Sequence, residues 1–248
     1  MSSILGRVQR VRHDLKFRDL VVRRVERPSP HFVAVVLGGE SLGDFHSPSF
    51  DDHLKVFVDT PGGEPARRDY TPRRFDPEAG ELTLEFVLHG DGPAAAWAAQ
   101  AAPGQTLRVA GPRGSFLIPT DYAWHLMVGD ETALPAISRR LEELPADAQV
   151  HVWLQVADPA DRRLPAVACQ AQVQWLADAA AVLDVAGGFA LPPGEGYVWA
   201  AGEGGLMAAL RRILVDDKGH DKRAIRAAAY WKHGASADAD PQAQPAPG

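Results

Sequence analysis

The sequence predicts two domains in series: an antiparallel β-barrel, followed by an α/β domain built on a parallel sheet. Three observations carry that expectation. From Phe17 to Ala110, short alternating runs recur between Pro, Gly and Ser, as in an antiparallel barrel or sandwich. From His125 onward, short buried-strand runs alternate with helical or loop-like stretches, which implies a parallel sheet with helices on its faces. The change of pattern falls near Pro119-Thr120-Asp121. This gives a basic N-terminal extension at 1–16, a barrel domain at 17–119, an α/β domain at 120–234 and a disordered tail at 235–248.

In chain order, the barrel strands are read at Leu20–Val25, His31–Leu37, Leu54–Val58, Tyr70–Arg73, Leu82–Leu88 and Thr106–Ala110. One helix interrupts them. Gly92-Pro93 opens an alanine-rich segment that passes Trp97 and stops at Pro103-Gly104, with Pro at the first helical position. Gly111-Pro112-Arg113-Gly114 reads as the turn that ends the barrel. The second domain begins with a strand at His125–Val128 and a helix reaching Leu144. Strand candidates follow at Val150–Val156, Val182–Val185, Gly196–Ala201 and Ala227–Trp231, and Leu206–Val215 has helical spacing.

Composition excludes several functions. The chain has 248 residues, 46% of them apolar, enough to bury a core in each of two domains. A formal net charge of −6 argues against nucleic acid as a partner, because phosphate neutralisation needs a surplus of Lys and Arg. The single cysteine, Cys169, rules out an internal disulfide, a thiolate-held zinc and an iron–sulfur cluster within these residues. No run reaches the ~20 apolar residues of a membrane span, and Met1–Arg7 carries no apolar signal core, so the expected compartment is the cytoplasm. The sequence leaves the oligomeric state open.

Arg68-Asp69-Tyr70-Thr71-Pro72-Arg73 is the stretch that carries chemistry. Tyr70 offers an aromatic face for a planar ring, Thr71 a small hydroxyl for the ring edge, and Arg68 and Arg73 planar forks for phosphate oxygens. Downstream, Gly92-Pro93-Ala94-Ala95 presents backbone amides at a helix start with small side chains around them, suited to a pyrophosphate. His89, just before that turn, is a candidate for ribose or adenine. The combination points to a flavin dinucleotide.

Gly129-Asp130-Glu131-Thr132 ends the first parallel strand, where α/β sheets bind ligands. It is neither a Walker loop nor a GxGxxG fingerprint. Gly202-Glu203 ends a later strand and would form the opposite wall of the same crevice. The loop after Val156 holds Asp158, Asp161, Arg162 and Arg163. An acid there favours a ribose 2′-hydroxyl and an arginine a 2′-phosphate, so NADPH and NADH both remain open.

These blocks have a family resemblance. Arg68-x-Tyr70-Thr71 resembles the flavin motif of the ferredoxin–NADP reductase superfamily. The ordered series His89-Gly90-Asp91-Gly92-Pro93-Ala94, Trp97-Ala98, Gly111-Pro112-Arg113-Gly114, Gly129–Ala136, Ala201-Gly202-Glu203 and Tyr230-Trp231-Lys232-x-Gly234 resembles its siderophore-interacting branch over roughly residues 15–234. The resemblance implies an FAD-dependent reductase that draws electrons from NAD(P)H, with Asp130 or Glu131 near the nicotinamide and Thr132 capping the following helix. It also implies a ferric siderophore as acceptor, reduced from Fe(III) to Fe(II) so that iron is released. With a single cysteine, too few for an iron–sulfur relay, the acceptor must approach the flavin itself. His53, Lys55 and Lys232 are the cationic candidates to receive an anionic chelate. No side chain is expected to act as a catalytic acid or base, and none to hold a resident metal. A general reductase of flavins or quinones, and a non-enzymatic ferric-chelate carrier, are the alternative readings.

Overall fold

The computed structural model describes residues 7–60, 62–88, 90 and 92–234. The expected tail at 235–248, the first six residues of the N-terminal extension and His89 lie outside the described residues. The chain divides into two compact units: Val8–Ile118, and Pro119 onward together with Arg7.

The first unit is a curled antiparallel sheet. Its strands are β1 (Gln9–Arg12), β2 (Phe17–Ser29), β3 (Phe32–Gly38), β4 (Leu54–Val58), β5 (Ala66–Tyr70), β6 (Pro72–Asp76), β7 (Glu81–Val87), β8 (Thr106–Ala110) and β9 (Gly114–Leu117). Seven of them pair in the order β5-β4-β8-β2-β3-β7-β6. The alternation in β4 shows how sequence sets the faces: Leu54, Val56 and Val58 are buried in the core, while Lys55 and Phe57 point outward. The order also dictates the curl. β5 and β6 are the two edges of the sheet, yet only Thr71 separates Tyr70 from Pro72. The edges must therefore meet at that residue, and the flavin-like stretch is the seam of the barrel.

The N-terminal extension contributes to this unit. β1 pairs with β9 in a separate two-stranded sheet, so Gly111-Pro112-Arg113 follows the last strand of the seven-stranded sheet but is a turn inside the first unit, not the junction to the second. The helix α1 (Pro93–Ala99) buries Ala94 and Ala98 in the barrel core and stops a turn before Pro103-Gly104.

The second unit is a five-stranded parallel sheet, ordered β12-β11-β10-β13-β14, from β10 (Trp124–Asp130), β11 (Gln149–Gln155), β12 (Gln170–Leu176), β13 (Gly196–Glu203) and β14 (Ile225–Trp231). Three helices pack on it: α2 (Leu134–Glu143), α3 (Ala179–Gly188) and α4 (Gly204–Arg212). β10 is buried along its whole length, as a central parallel strand covered on both faces must be.

Two strand assignments are overturned. Tyr70–Arg73 is not one strand but the crossing from β5 to β6, broken at Thr71. Val182–Val185 lies in α3, not in a strand. Asp178 caps that helix by accepting the amide of Ala181, and Val182 and Ala186, four apart, form its buried face. The missing strand is β12, whose Gln170, Gln172 and Gln174 alternate outward and hid it from an apolar search. The chain runs from β10 outward through β11 and β12, then crosses to the other side of β10 to make β13 and β14. The switch of direction therefore lies between β10 and β13.

Candidate cofactor and nucleotide sites

At the seam, Tyr70 ends β5 with its ring packed on Phe86 of β7, centroids 4.3 Å apart, and Phe86 in turn meets Trp97 of α1 at 5.6 Å. Trp97 is thus core packing that ties the helix to the seam. Burial pushes the Tyr70 phenol well above its ordinary value, against the opposing pull of Arg68, so the ring stays neutral. Thr71 is buried at the crossing, held between the end of β5 and Pro72. Arg68 occupies the same strand face as Tyr70 and donates to the carbonyl of Arg67 at 2.7 Å.

Arg73 lies elsewhere. The β6–β7 register slips between Pro72 and Arg74, so Arg73 is the extra residue of a bulge. Its side chain runs into a groove on the outer face of β2, β3, β6 and β7, where its Nε lies 3.7 Å from Glu85. The structure therefore pairs Arg73 with an acid rather than bringing it to Tyr70.

The small residues at the start of α1 keep their expected arrangement. Gly92 is the N-cap in extended conformation with no side-chain cap bond, and Pro93 occupies the first turn. A Cβ built on Gly92 meets nothing within 4 Å, so the approach to the first-turn amides of Ala94 and Ala95 is open on that side.

Lys55 is paired. The β4–β5 register sets it opposite Asp69, and its Nζ lies 3.1 Å from both carboxylate oxygens. The cation expected for an anionic substrate thus carries its own counter-ion, drawn from inside the flavin-like stretch. His53 is half-buried just before β4, with its carbonyl beside the Gly111 turn.

In the second unit, the carboxyl ends of β10 and β13 bring Asp130 and Gly202 together at the switch point. A Cβ on Gly202 would stand 2.6 Å from Asp130 Oδ2, so only glycine admits this approach. Asp130 is buried and accepts from the Thr132 amide at 2.9 Å, from the Thr132 hydroxyl, and from Trp231 Nε1 at 2.7 Å. Burial nonetheless raises its pKa, against the pull of those donors. Trp231 reaches Asp130 because β14 slips register beside Gly202 and Glu203.

Thr132 does not cap α2, as the resemblance implied. The N-cap is Ala133, and both polar groups of Thr132 turn back to Asp130 in a local carboxylate turn. Glu131 accepts the amide of Ala157 at 2.8 Å, which ties the end of β10 to the loop after β11. Glu203 is the N-cap of α4 through the Leu206 amide at 2.8 Å, and that bond leads the causes that lower its pKa. The glycine at 129 lies under this cluster, where a Cβ would meet that of Ala133 at 2.4 Å.

Arg162 and Arg163 follow the short 3-10 turn Pro159–Asp161, at the same end of the sheet. Arg162 donates to Val156 O at 3.4 Å within its own loop, while its Nε is buried without a hydrogen bond among the described residues. Lys232 is exposed just past β14, and its alkyl chain crosses Gly204 at the start of α4, beside Glu203.

The donor set fits a flavin nucleotide in the first unit: a backed aromatic wall, a buried small hydroxyl at a seam between two sheet edges, a guanidinium, and a helix start cleared by Gly92. Sequence reasoning gave no role to Asp69, Glu85, Phe86 or the indole of Trp231. Each acts through strand register, which spacing along the chain does not reveal.

Comparison with known proteins gives a consistent picture. Residues 21–67 and 59–116 match the siderophore-interacting FAD-binding domain, and residues 122–234 match the siderophore-interacting protein family. An NADPH-dependent ferric-chelate reductase of Escherichia coli is 41% identical over 90% of this chain and 96% of its own. A ferric vibriobactin reductase of Vibrio cholerae is 32% identical over 85% and 88%. The crystal structure of a siderophore utilization protein from T. fusca superposes with a TM-score of 0.86 at 34% identity, covering 92% of this chain and 97% of the other.

Proposed function

Because the chain belongs to the siderophore-interacting protein family, we propose that it is an FAD-dependent reductase that uses NAD(P)H to reduce a ferric siderophore. The observation that carries this reading is the barrel seam. The two sheet edges meet at Tyr70-Thr71, which sets an aromatic ring backed by Phe86 beside a buried threonine hydroxyl.

FAD, when bound, supplies the chemistry that neither unit's side chains offer: it accepts a hydride and passes single electrons. The protein's part is to bind and orient. Tyr70 offers its ring to the isoalloxazine, Thr71 its hydroxyl to the ring edge, Arg68 its fork to phosphate, and Gly92, Pro93, Ala94 and Ala95 an open helix start. For the dinucleotide donor, Asp130, Gly202 and Glu203 form the switch-point crevice with Gly129, Glu131 and Thr132 behind them. Arg162 and Arg163, in the loop after β11, are assigned to the 2′-phosphate of NADPH, with NADH as the alternative donor. In the first unit Lys55, with its strength moderated by Asp69, and His53 are the residues assigned to the chelate; in the second unit the candidate is Lys232.

Ferric iron is the substrate. Hard oxygen chelators hold Fe(II) less firmly than Fe(III), so one-electron reduction loosens it. No acid or base is needed. The reading places the protein in the cytoplasm, and no helix among the described residues is long and apolar enough to cross a membrane.

Reconstitution with FAD followed by anaerobic mixing with NADPH and NADH tests the proposal. The protein should turn yellow, bleach with the nucleotide, and reoxidise faster with ferric siderophores than with free flavins or quinones. A protein that cannot take up FAD would sink it, and faster reoxidation by quinones would move it to the general reductases.

A further inference from the structure

The segment that carries Tyr70 and Thr71 is gripped from both faces of the barrel wall by two neighbouring residues of β7. Successive residues of a strand point to opposite faces. Phe86 points into the core and carries the Tyr70 ring at 4.3 Å. Glu85 points outward and meets Arg73 at 3.7 Å, in a groove floored by Ala34 and Val36. Both partners of this ion pair are largely enclosed, the Glu85 side chain 8% exposed and that of Arg73 13%. Tyr70 and Arg73 are the two ends of the four-residue crossing from one sheet edge to the other. Between them, Pro72 fixes its own backbone angle and biases Thr71 toward an extended one. The bulge supplies the extra residue that lets Arg73 turn outward while the ladder resumes at Arg74.

We propose that Arg73 and Glu85 are positioning residues for the flavin: together with Phe86 they clamp the seam crossing, so that Tyr70 and Thr71 face the isoalloxazine ring, and Arg73 does not itself bind phosphate. This rests on the flavin reading of the seam. It differs from the direct role that the residue type suggests in its consequences. If Arg73 held phosphate, Glu85 would compete with the ligand for the guanidinium, and neutralising Glu85 would leave flavin affinity unchanged or raise it. A clamp makes the opposite demand, because removing either charge loosens the crossing.

The test uses three flavins that share the ring and differ in phosphate. Dissociation constants of riboflavin, FMN and FAD are measured by fluorescence quenching on the full-length apoprotein, for the parent, Glu85→Gln and Arg73→Met. Visible circular dichroism of the bound flavin and thermal melting of the apoprotein are recorded alongside. Each variant should weaken all three flavins by a similar factor, on the order of tenfold for residues coupled through direct contact. The visible dichroism should change, and the double variant should be no worse than the singles. Unaltered or tighter binding in Glu85→Gln overturns the proposal. So does an Arg73→Met variant that loses FMN and FAD affinity but keeps that for riboflavin. If Glu85→Gln fails to fold, Glu85→Asp, which keeps the charge but shortens its reach, carries the same comparison. Failure of the parent to bind any of the three flavins would refute the functional reading itself; normal binding in the parent with unchanged variants would refute the clamp alone.

Discussion

His125 should make the α/β unit lose stability as the pH falls through the weakly acidic range. It sits at the start of the central strand β10, 1% exposed, with Nε2 3.2 Å from the carbonyl of Thr120. Burial first, and the charge of Arg140 second, lower its pKa to about 4 from an ordinary 6.5, outweighing the opposing effects of the Thr120 carbonyl and Asp121. The sign follows from proton uptake. Between these values the unfolded chain binds the proton and the folded chain refuses it, so stability falls with pH from about 6.5 down to about 4 and levels off below. The full span is worth about 3 kcal/mol, of which about 2 kcal/mol is lost between pH 7 and pH 5. Urea unfolding followed by tryptophan fluorescence reads this unit, since Trp97 is the only one of the six tryptophans in the barrel. His125→Gln keeps an N–H donor and removes the titration, so its stability should fall less over the same interval, by about 2 kcal/mol. Parallel profiles for the two proteins between pH 5 and pH 7 would refute the assignment.

The remaining expectations concern the binding elements. Gly202→Ala would force its new Cβ against the Asp130 carboxylate, 2.6 Å away, and should weaken NADPH binding on the order of tenfold while leaving FAD content intact, as read by nucleotide titration. Glu203→Ala removes the cap of α4 and should lower stability by about 1 kcal/mol in chemical denaturation. Asp69→Asn releases Lys55 from its counter-ion and should raise the reoxidation rate with anionic ferric chelates. Lys55→Glu and Lys232→Glu should lower it with flavin content unchanged, and insensitivity of chelate kinetics to all three would remove both lysines from the substrate site. Breaking the partly exposed Lys55–Asp69 pair should change stability by no more than about 1 kcal/mol, so a rate change would not reflect unfolding.

Both halves of the fold were legible because their signals are local. Alternation in Leu54–Val58 and the Pro-Gly punctuation around α1 act over a few residues, and the structure keeps them. Where the sequence reading failed, a local signal met a tertiary one. Val182–Val185 is β-branched at its ends, but the Asp178 cap and the four-residue spacing of Val182 and Ala186 make it helical. Gln170–Leu176 lacks an apolar run because it is a sheet edge with one face in water. Thr132 had the residue type of a cap but lies one residue before the cap position, and a buried carboxylate two residues earlier took both its donors.

The stretch Arg68 to Arg73 shows the same limit at the site itself. Read as a string, its two arginines look equivalent and Asp69 looks incidental. Strand geometry separates them. Arg68 shares a face with Tyr70, Asp69 faces Lys55 across the ladder, and a one-residue bulge turns Arg73 to the outer groove. A shift of one residue in register exchanges the faces of a strand, so chemistry that depends on which guanidinium meets the ligand is decided by pairing with β4 and β7. The bulge at Arg73 is thus the feature on which the assignment turns. Deleting Arg73 removes the extra residue of the bulge, and the shorter crossing would pull Thr71 out of line. Such a variant should lose flavin binding more completely than Arg73→Met, and equal losses in the two would show that the side chain alone, not the extra residue, sets the seam.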